Sequence, residues 1–249
     1  MPFTFAHPAI VLPGVYLPPQ WVSLTGLVAG SLAPDFEYFL RWQVLSQYSH
    51  TLPGIFWLDL PLALGIAMVY HLLIKKTLLE NLPLYLKGKL FKFKNFNWVT
   101  YFQEHFLVVL LSSLAGILSH IGWDSFTHPH GFMVKQITFL SNPITVNQIS
   151  IPVYKLLQHG SSLLGLLLIG LTINKLPVHK TLKNPHQVSY WLTVTFFICL
   201  FIGMRFLFGL EFKQYGNVVV TVISAGLLSL SITPFFLNQV LPKNIPDNY

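Results

Sequence analysis

Long apolar runs separated by short polar stretches dominate the chain. Five of them, 54–74, 105–123, 156–173, 190–210 and 217–240, approach the ~20 residues an α-helix needs to cross ~30 Å of hydrocarbon. A sixth, 21–33, is bounded by "LPPQW" before and "PDFE" after, and it is too short for a full crossing. It predicts a buried or re-entrant helix, in which Gly26 and Gly30 allow close packing on a neighbour. The expected fold is therefore all-α. It is a polytopic membrane helix bundle of about five transmembrane helices plus a short N-terminal packed or re-entrant helix. One integral membrane domain covers 1–249, with the polar motifs in 1–175 and two additional spans in 176–249. Asp59 and Arg205 lie inside or near the ends of apolar runs and are expected to face protein or an interface.

Composition supports lipid as the solvent. Only 9% of residues are charged, against roughly a quarter in soluble domains, and the mean hydropathy is +0.59. The net charge of +7 raises the question of nucleic acid. The basic residues, however, cluster between apolar runs and form no soluble basic face, so no nucleic-acid partner is expected. The single cysteine, Cys199, excludes an intramolecular disulfide and a thiolate metal cluster. The N-terminus "MPFTFAHPAIVLPG" lacks a basic n-region and a clean apolar core, so no cleaved signal peptide is expected.

Loop charge gives an orientation. Lys75, Lys76, Lys87, Lys89, Lys92 and Lys94 follow the first span, Lys175, Lys180 and Lys183 follow the third, and Lys243 lies in the tail. With five alternating spans these ten share one side, and Arg41, Lys135, Lys155 and Lys213 fall on the other. The positive-inside rule assigns the ten to the cytoplasm. Trp57, Trp98, Trp123 and Trp191 near span ends fit an interfacial belt.

The same topology sorts residues that took no part in the charge count. His120, Asp124 and His128 reach the outer end of the second span, and His159 sits near the outer start of the third. His50 and the pair Asp35 and Glu37 precede the first span, and a re-entrant first segment leaves His7 on that side too. In "LSHIGWDSFTHPHG" the triplet His120, Asp124, His128 is spaced i, i+4, i+8, a drift of only about 80° around a helix. An imidazole and a carboxylate one turn apart on one face suit a metal. Pro129 predicts that the helix frays at His128. Nitrogen and carboxylate ligands without thiolate suit zinc, with manganese or iron as alternatives, and the number of ligands permits more than one ion. Other histidines have ordinary readings. His105, His179 and His186 lie on or near the lysine-rich side, His71 suits helix-to-helix hydrogen bonding, and His130 is a loop residue. Asp59 is open between support of the site and helix packing.

The motifs "PFTFAHPAIVLP", "GSLAPDFEYFLR", "SHTLPGIFWLDLPL", "SHIGWDSFTHPHG" and "KLLQHGSSLLG" resemble a bacterial membrane-protein family catalogued as domain of unknown function 4184, over roughly residues 2–170. That family is similar to inner-membrane-associated proteins assigned as metal-dependent hydrolases, and more distantly to zinc-dependent phospholipase C and P1 nuclease. The resemblance implies His7, Asp35, His50, His120 and Asp124 as metal ligands. His128 and His159 match motifs of the unknown-function family alone. His50 is followed by Thr51, whereas those hydrolases carry the Thr before the His.

The leading expectation is a metal-dependent hydrolase in the bacterial cytoplasmic membrane. Its substrate would be a phosphoester or lipid-linked molecule, such as a phospholipid, reached at the extracytoplasmic interface. Glu37 is a candidate base or an acceptor supporting the ligands from behind, and His128 and His159 are candidate catalytic contacts or further ligands. Membrane lipid is the expected partner. The alternatives are a transporter or ion-handling protein, which would carry polar groups at successive depths, and a scaffold stapled by a closed metal site.

Overall fold

The computed structural model describes residues 3–146 and 148–240. Lys243 and the first residue of the motif beginning at Pro2 lie outside them. Among the described residues, five helical segments are long and apolar enough to cross a membrane: Leu52–Asn81, Phe106–Gln136, Val153–Lys175, Gln187–Leu207 and Tyr215–Leu237. They coincide with the five apolar runs. The sixth run forms a nine-residue helix, α1 (Leu24–Leu32), started by the Ser23 side chain, which accepts from Gly26 N at 3.1 Å. At 1.5 Å per residue it is about 13 Å long, too short to span. The chain is an all-α membrane bundle.

The residues cluster into two compact units. One holds the described residues up to Glu37 together with Ser46–Ala67 and Val99–Lys175. The other holds Tyr38–Leu45, Met68–Trp98 and the described residues from Leu176. The helical segment α2 (Leu52–Asn81) gives its first part to one unit and the rest to the other. The motif-bearing region therefore sheds 38–45 and 68–98, which group with the last two spans.

In the first unit α1 lies against α3 (Phe106–Thr127). The contact is backbone to backbone. A Cβ at Gly26 would meet Val109 O at 2.8 Å, one at Gly30 would collide with the Ser113 carbonyl, and one at Gly116 with Leu27 O. Ser23 N donates to Ser112 Oγ at 2.9 Å along the same seam. Within lipid, where apolar side chains gain little by leaving the solvent, such small-residue contacts let helices approach closely. α4 (Val153–Lys175) packs beside α3, and Trp123 Nε1 donates to Ser161 Oγ at 3.1 Å. Between them an antiparallel hairpin pairs β1 (Pro143–Val146) with β2 (Ile149–Pro152), which the spacing of apolar runs did not predict.

The second unit contains α5 (Gln187–Leu207) and α6 (Tyr215–Val240), packed with Phe197 and Phe236 rings 4.8 Å apart. Trp191 Nε1 donates to Asn81 O at 2.8 Å, and Arg205 donates to Trp42 O at 3.1 Å. The lysine-rich stretch behaves unlike a solvated loop. Lys75, Lys87 and Lys89 are buried, and their ammonium groups donate to the carbonyls of Phe96, Leu182 and Leu176 at 2.6, 2.7 and 2.8 Å.

The seam of α1 on α3 leaves no room for a side chain at Gly30. Gly30→Val is expected to destabilise the protein by roughly 1–3 kcal/mol, read as a lower thermal midpoint in detergent. An unchanged midpoint would contradict the close approach.

Candidate metal centre

Four elements bring polar groups to one end of the first unit. Asp35 closes the turn after α1, and His7 sits where a 3-10 turn (Thr4–Ala6) passes into a short helix (Pro8–Val11). His50 precedes α2, and His120 and Asp124 lie one turn apart near the end of α3. The helix stops at Thr127, and His128 is extended, with ψ 145°, as Pro129 requires of its predecessor.

The ligand atoms of Asp35, His50, His120 and Asp124 all lie within 4.8 Å of one another. His120 Nε2 is 3.6 Å from Asp35 Oδ1 and 3.4 Å from Asp124 Oδ2. His50 Nε2 is 3.8 and 3.5 Å from the same two oxygens. These separations exceed the 2.7–3.2 Å of a good N–H···O bond. They are close to the ~3.3 Å edge of a tetrahedron of ligands held about 2.0–2.1 Å from a zinc ion. The four side chains gather at one place, each imidazole within ion-pair range of both carboxylates. Among the described residues, His120 Nε2 and Asp35 Oδ1 are buried in this centre without a hydrogen-bond partner. Such buried polar atoms are costly unless something else satisfies them. The donor set could therefore hold a metal ion.

The ligands are oriented from behind. His120 Nδ1 lies 2.7 Å from Ser31 O. A carbonyl can only accept, so Nδ1 carries a proton and Nε2 is the nitrogen left to face the centre. Thr4 Oγ1 donates to Asp35 Oδ2 at 2.5 Å, which leaves Oδ1 for the centre. Burial alone would raise the Asp35 pKa, but His120 beside it outweighs that and holds the carboxyl below its ordinary value. Asp35 is thus ionised at neutral pH.

His50 needs the most support because its φ is +62°, in the left-handed region that side chains seldom adopt. Glu37 provides it. Its carboxylate accepts from Gln47 N at 3.0 Å, Tyr48 N at 3.0 Å and Ser49 N at 2.8 Å, with Ser46 Oγ at 3.4 Å. An acid 4% exposed thus winds the turn 46–49 around itself and delivers His50 to the centre. Thr51 starts α2, accepting from Gly54 N at 3.0 Å. The Thr next to His50 is a helix cap, which accounts for a hydroxyl at that position.

The remaining sequence candidates divide. His7 lies against the group, its ring stacked on His120 at 3.7 Å and its Nε2 3.5 Å from Asp124 Oδ1. Burial, helped by the nearby charge of His120, pushes His7 down to about 4, so it is a neutral lone-pair donor at pH 7. Asp124 consequently points one oxygen at His7 and the other at the four-residue centre. His128 Nδ1 is 3.5 Å from Asp124 Oδ2, and its side chain is 26% exposed. His159 is not brought in: it lies exposed on α4, outside the group. Glu37 is near but faces the turn. Thr4 and Ser31 were missed from sequence. Thr4 lies three residues before His7, a faint signal of one turn, but Ser31 acts through its backbone and leaves none.

Fold and site define a polytopic helical membrane protein with a buried histidine–carboxylate centre able to hold a metal ion. The chain belongs to the family described as Domain of unknown function (DUF4184), which matches residues 1–235. That match extends through α5 and most of α6, beyond the stretch that the short motifs covered. No curated protein and no solved structure matches the chain.

Glu37→Ala removes the acceptor of the turn while leaving all metal-facing groups in place. Divalent-metal affinity is expected to fall about 10–100-fold, as for other groups that orient ligands from behind. A titration of metal-stripped protein measures this, and equal affinity would show that His50 holds its position unaided.

Proposed function

We propose that the protein is a membrane-embedded, metal-dependent hydrolase acting on a phosphoester. One observation carries this reading: two carboxylates and two imidazoles bring their ligand atoms within 4.8 Å of one another, close enough to share one ion. Zinc is the first choice for such nitrogen and oxygen ligands, with manganese and iron next. A bound divalent ion would supply positive charge to a phosphoryl oxygen and acidify water at neutral pH.

The chain's own residues would do the rest. Asp35, His50, His120 and Asp124 hold the ion, with His7 on the far oxygen of Asp124. His50 and His128 are the partly exposed members, at 23% and 26%, and this open flank favours a catalytic over a closed structural site. His128 is assigned the phosphoryl contact, supported by its exposure beside Asp124. Glu37 is assigned to hold the turn before His50, since both its oxygens accept from that turn. His159 has no assigned part. The lysine count favours an extracytoplasmic location for the centre in a bacterial cytoplasmic membrane, where lipid headgroups would be within reach.

Detergent-purified protein is expected to retain about one or more divalent ions per chain. Asp124→Asn should lose them by elemental mass spectrometry, and metal content unaffected by that change would remove the site. His128→Ala should keep the metal and lose about a hundredfold in kcat on a phosphoester panel. Full metal loading with no turnover of any phosphoester would leave a structural centre instead.

A further inference from the structure

An open apolar groove of about 180 Å³ lies on the outside of the first unit, between the N-terminal segment, α3 and α4. Ala6, Ala9, Ile10, Leu164, Gly165 and Leu168 line most of it, with Trp123 and two serines at one end. Those serines offer it little. Ser161 and Ser162 each turn a hydroxyl proton to Gln158 O, at 3.2 and 2.8 Å. Their oxygens accept from Trp123 Nε1 and Phe3 N at 3.1 and 2.8 Å. A polar headgroup would find few free partners there, and a hydrocarbon chain needs none.

Position and direction add to this. Ser161 is level with Trp123, beside His120 and Asp124 on α3, and Leu168 lies two turns further along α4, about 10 Å away at 1.5 Å per residue and just past the middle of that span. The groove thus starts level with the centre and runs along the apolar middle of the span, where a lipid chain attached to a group at the centre would lie. One residue of the histidine–carboxylate cluster also lines the groove: His7. At its floor the N-terminal segment touches α4 closely enough that a Cβ at Gly165 would meet Ala6 O at 2.8 Å.

We propose that the groove seats a hydrocarbon chain of the substrate, so that the centre acts on lipid phosphoesters rather than on soluble ones. This rests on the hydrolase reading above. Alternate occupation by bulk membrane lipid, unconnected with turnover, is an outcome of the test.

The experiment uses the full-length, metal-loaded protein in nanodiscs. Phosphatidic acid with a photoreactive diazirine in mid-chain is expected to label peptides containing Ile10, Leu164 or Leu168 above other lipid-facing leucines such as Leu192. In parallel, kcat/KM is compared for phosphatidic acid and for chain-free glycerol phosphate. Ala9→Leu or Leu164→Trp, which fill the groove, should lower the ratio of the two by at least about tenfold, the effect of displacing a few methylenes. The second variant alters a half-exposed residue, in case the first does not fold, and metal content checks both. A ratio indifferent to filling, with labelling spread evenly, overturns the groove while leaving the hydrolase intact. Groove labelling that competes with substrate in neither direction assigns it to bulk lipid and overturns the proposal. No turnover of either phosphoester, with metal bound, overturns the hydrolase reading itself.

Discussion

The close contact of α1 with α3 is the constraint on which the site depends. Glycines 26, 30 and 116 bring the two backbones together where any side chain would intervene. That approach puts the Ser31 carbonyl within 2.7 Å of His120 and starts the turn carrying Asp35 beside it. Two ligands from sequence positions far apart are thus set by one packing seam. A helix too short to cross the membrane is held deep enough in the bundle to lend its C-terminal end to chemistry.

The second half of the arrangement is local. A buried acid, Glu37, organises the backbone that follows it, and the histidine at the end of that turn sits in a conformation worth of order 1–3 kcal/mol of strain. Such strain persists only where the surroundings fix it, and three backbone donors on one carboxylate do so. Asp35 and Glu37 therefore divide the labour: one faces inward to the ligands, and the other faces the turn. The polar groups are held from outside, and His120 Nε2 and Asp35 Oδ1 are left inside without a hydrogen-bond partner.

Much of this was legible in the sequence. The five spans follow from apolar length alone, and α1 failed to reach spanning length for the same reason. The cluster was legible because His120 and Asp124 share a helix face and topology sorted His7, Asp35 and His50 to the same end. What escaped depends on direction rather than position. Glu37 and Asp35 are two residues apart, and nothing in a sequence says which carboxylate meets backbone N–H groups. His159 lies near the right end of α4 but on its exposed side. The pairing of 143–146 with 149–152 falls between the long apolar runs, although "ITV" and "ISI" about "NQ" carry a strand signal.

Three lysines in the second unit alter what charge means for this chain. Lys75, Lys87 and Lys89 tie down the carbonyls of Phe96, Leu182 and Leu176. They are counted like any others when a bilayer orientation is reckoned from sequence, yet in the folded chain they act as rivets between backbone segments. In the folded chain this stretch therefore offers its surroundings less positive charge than its lysine count suggests.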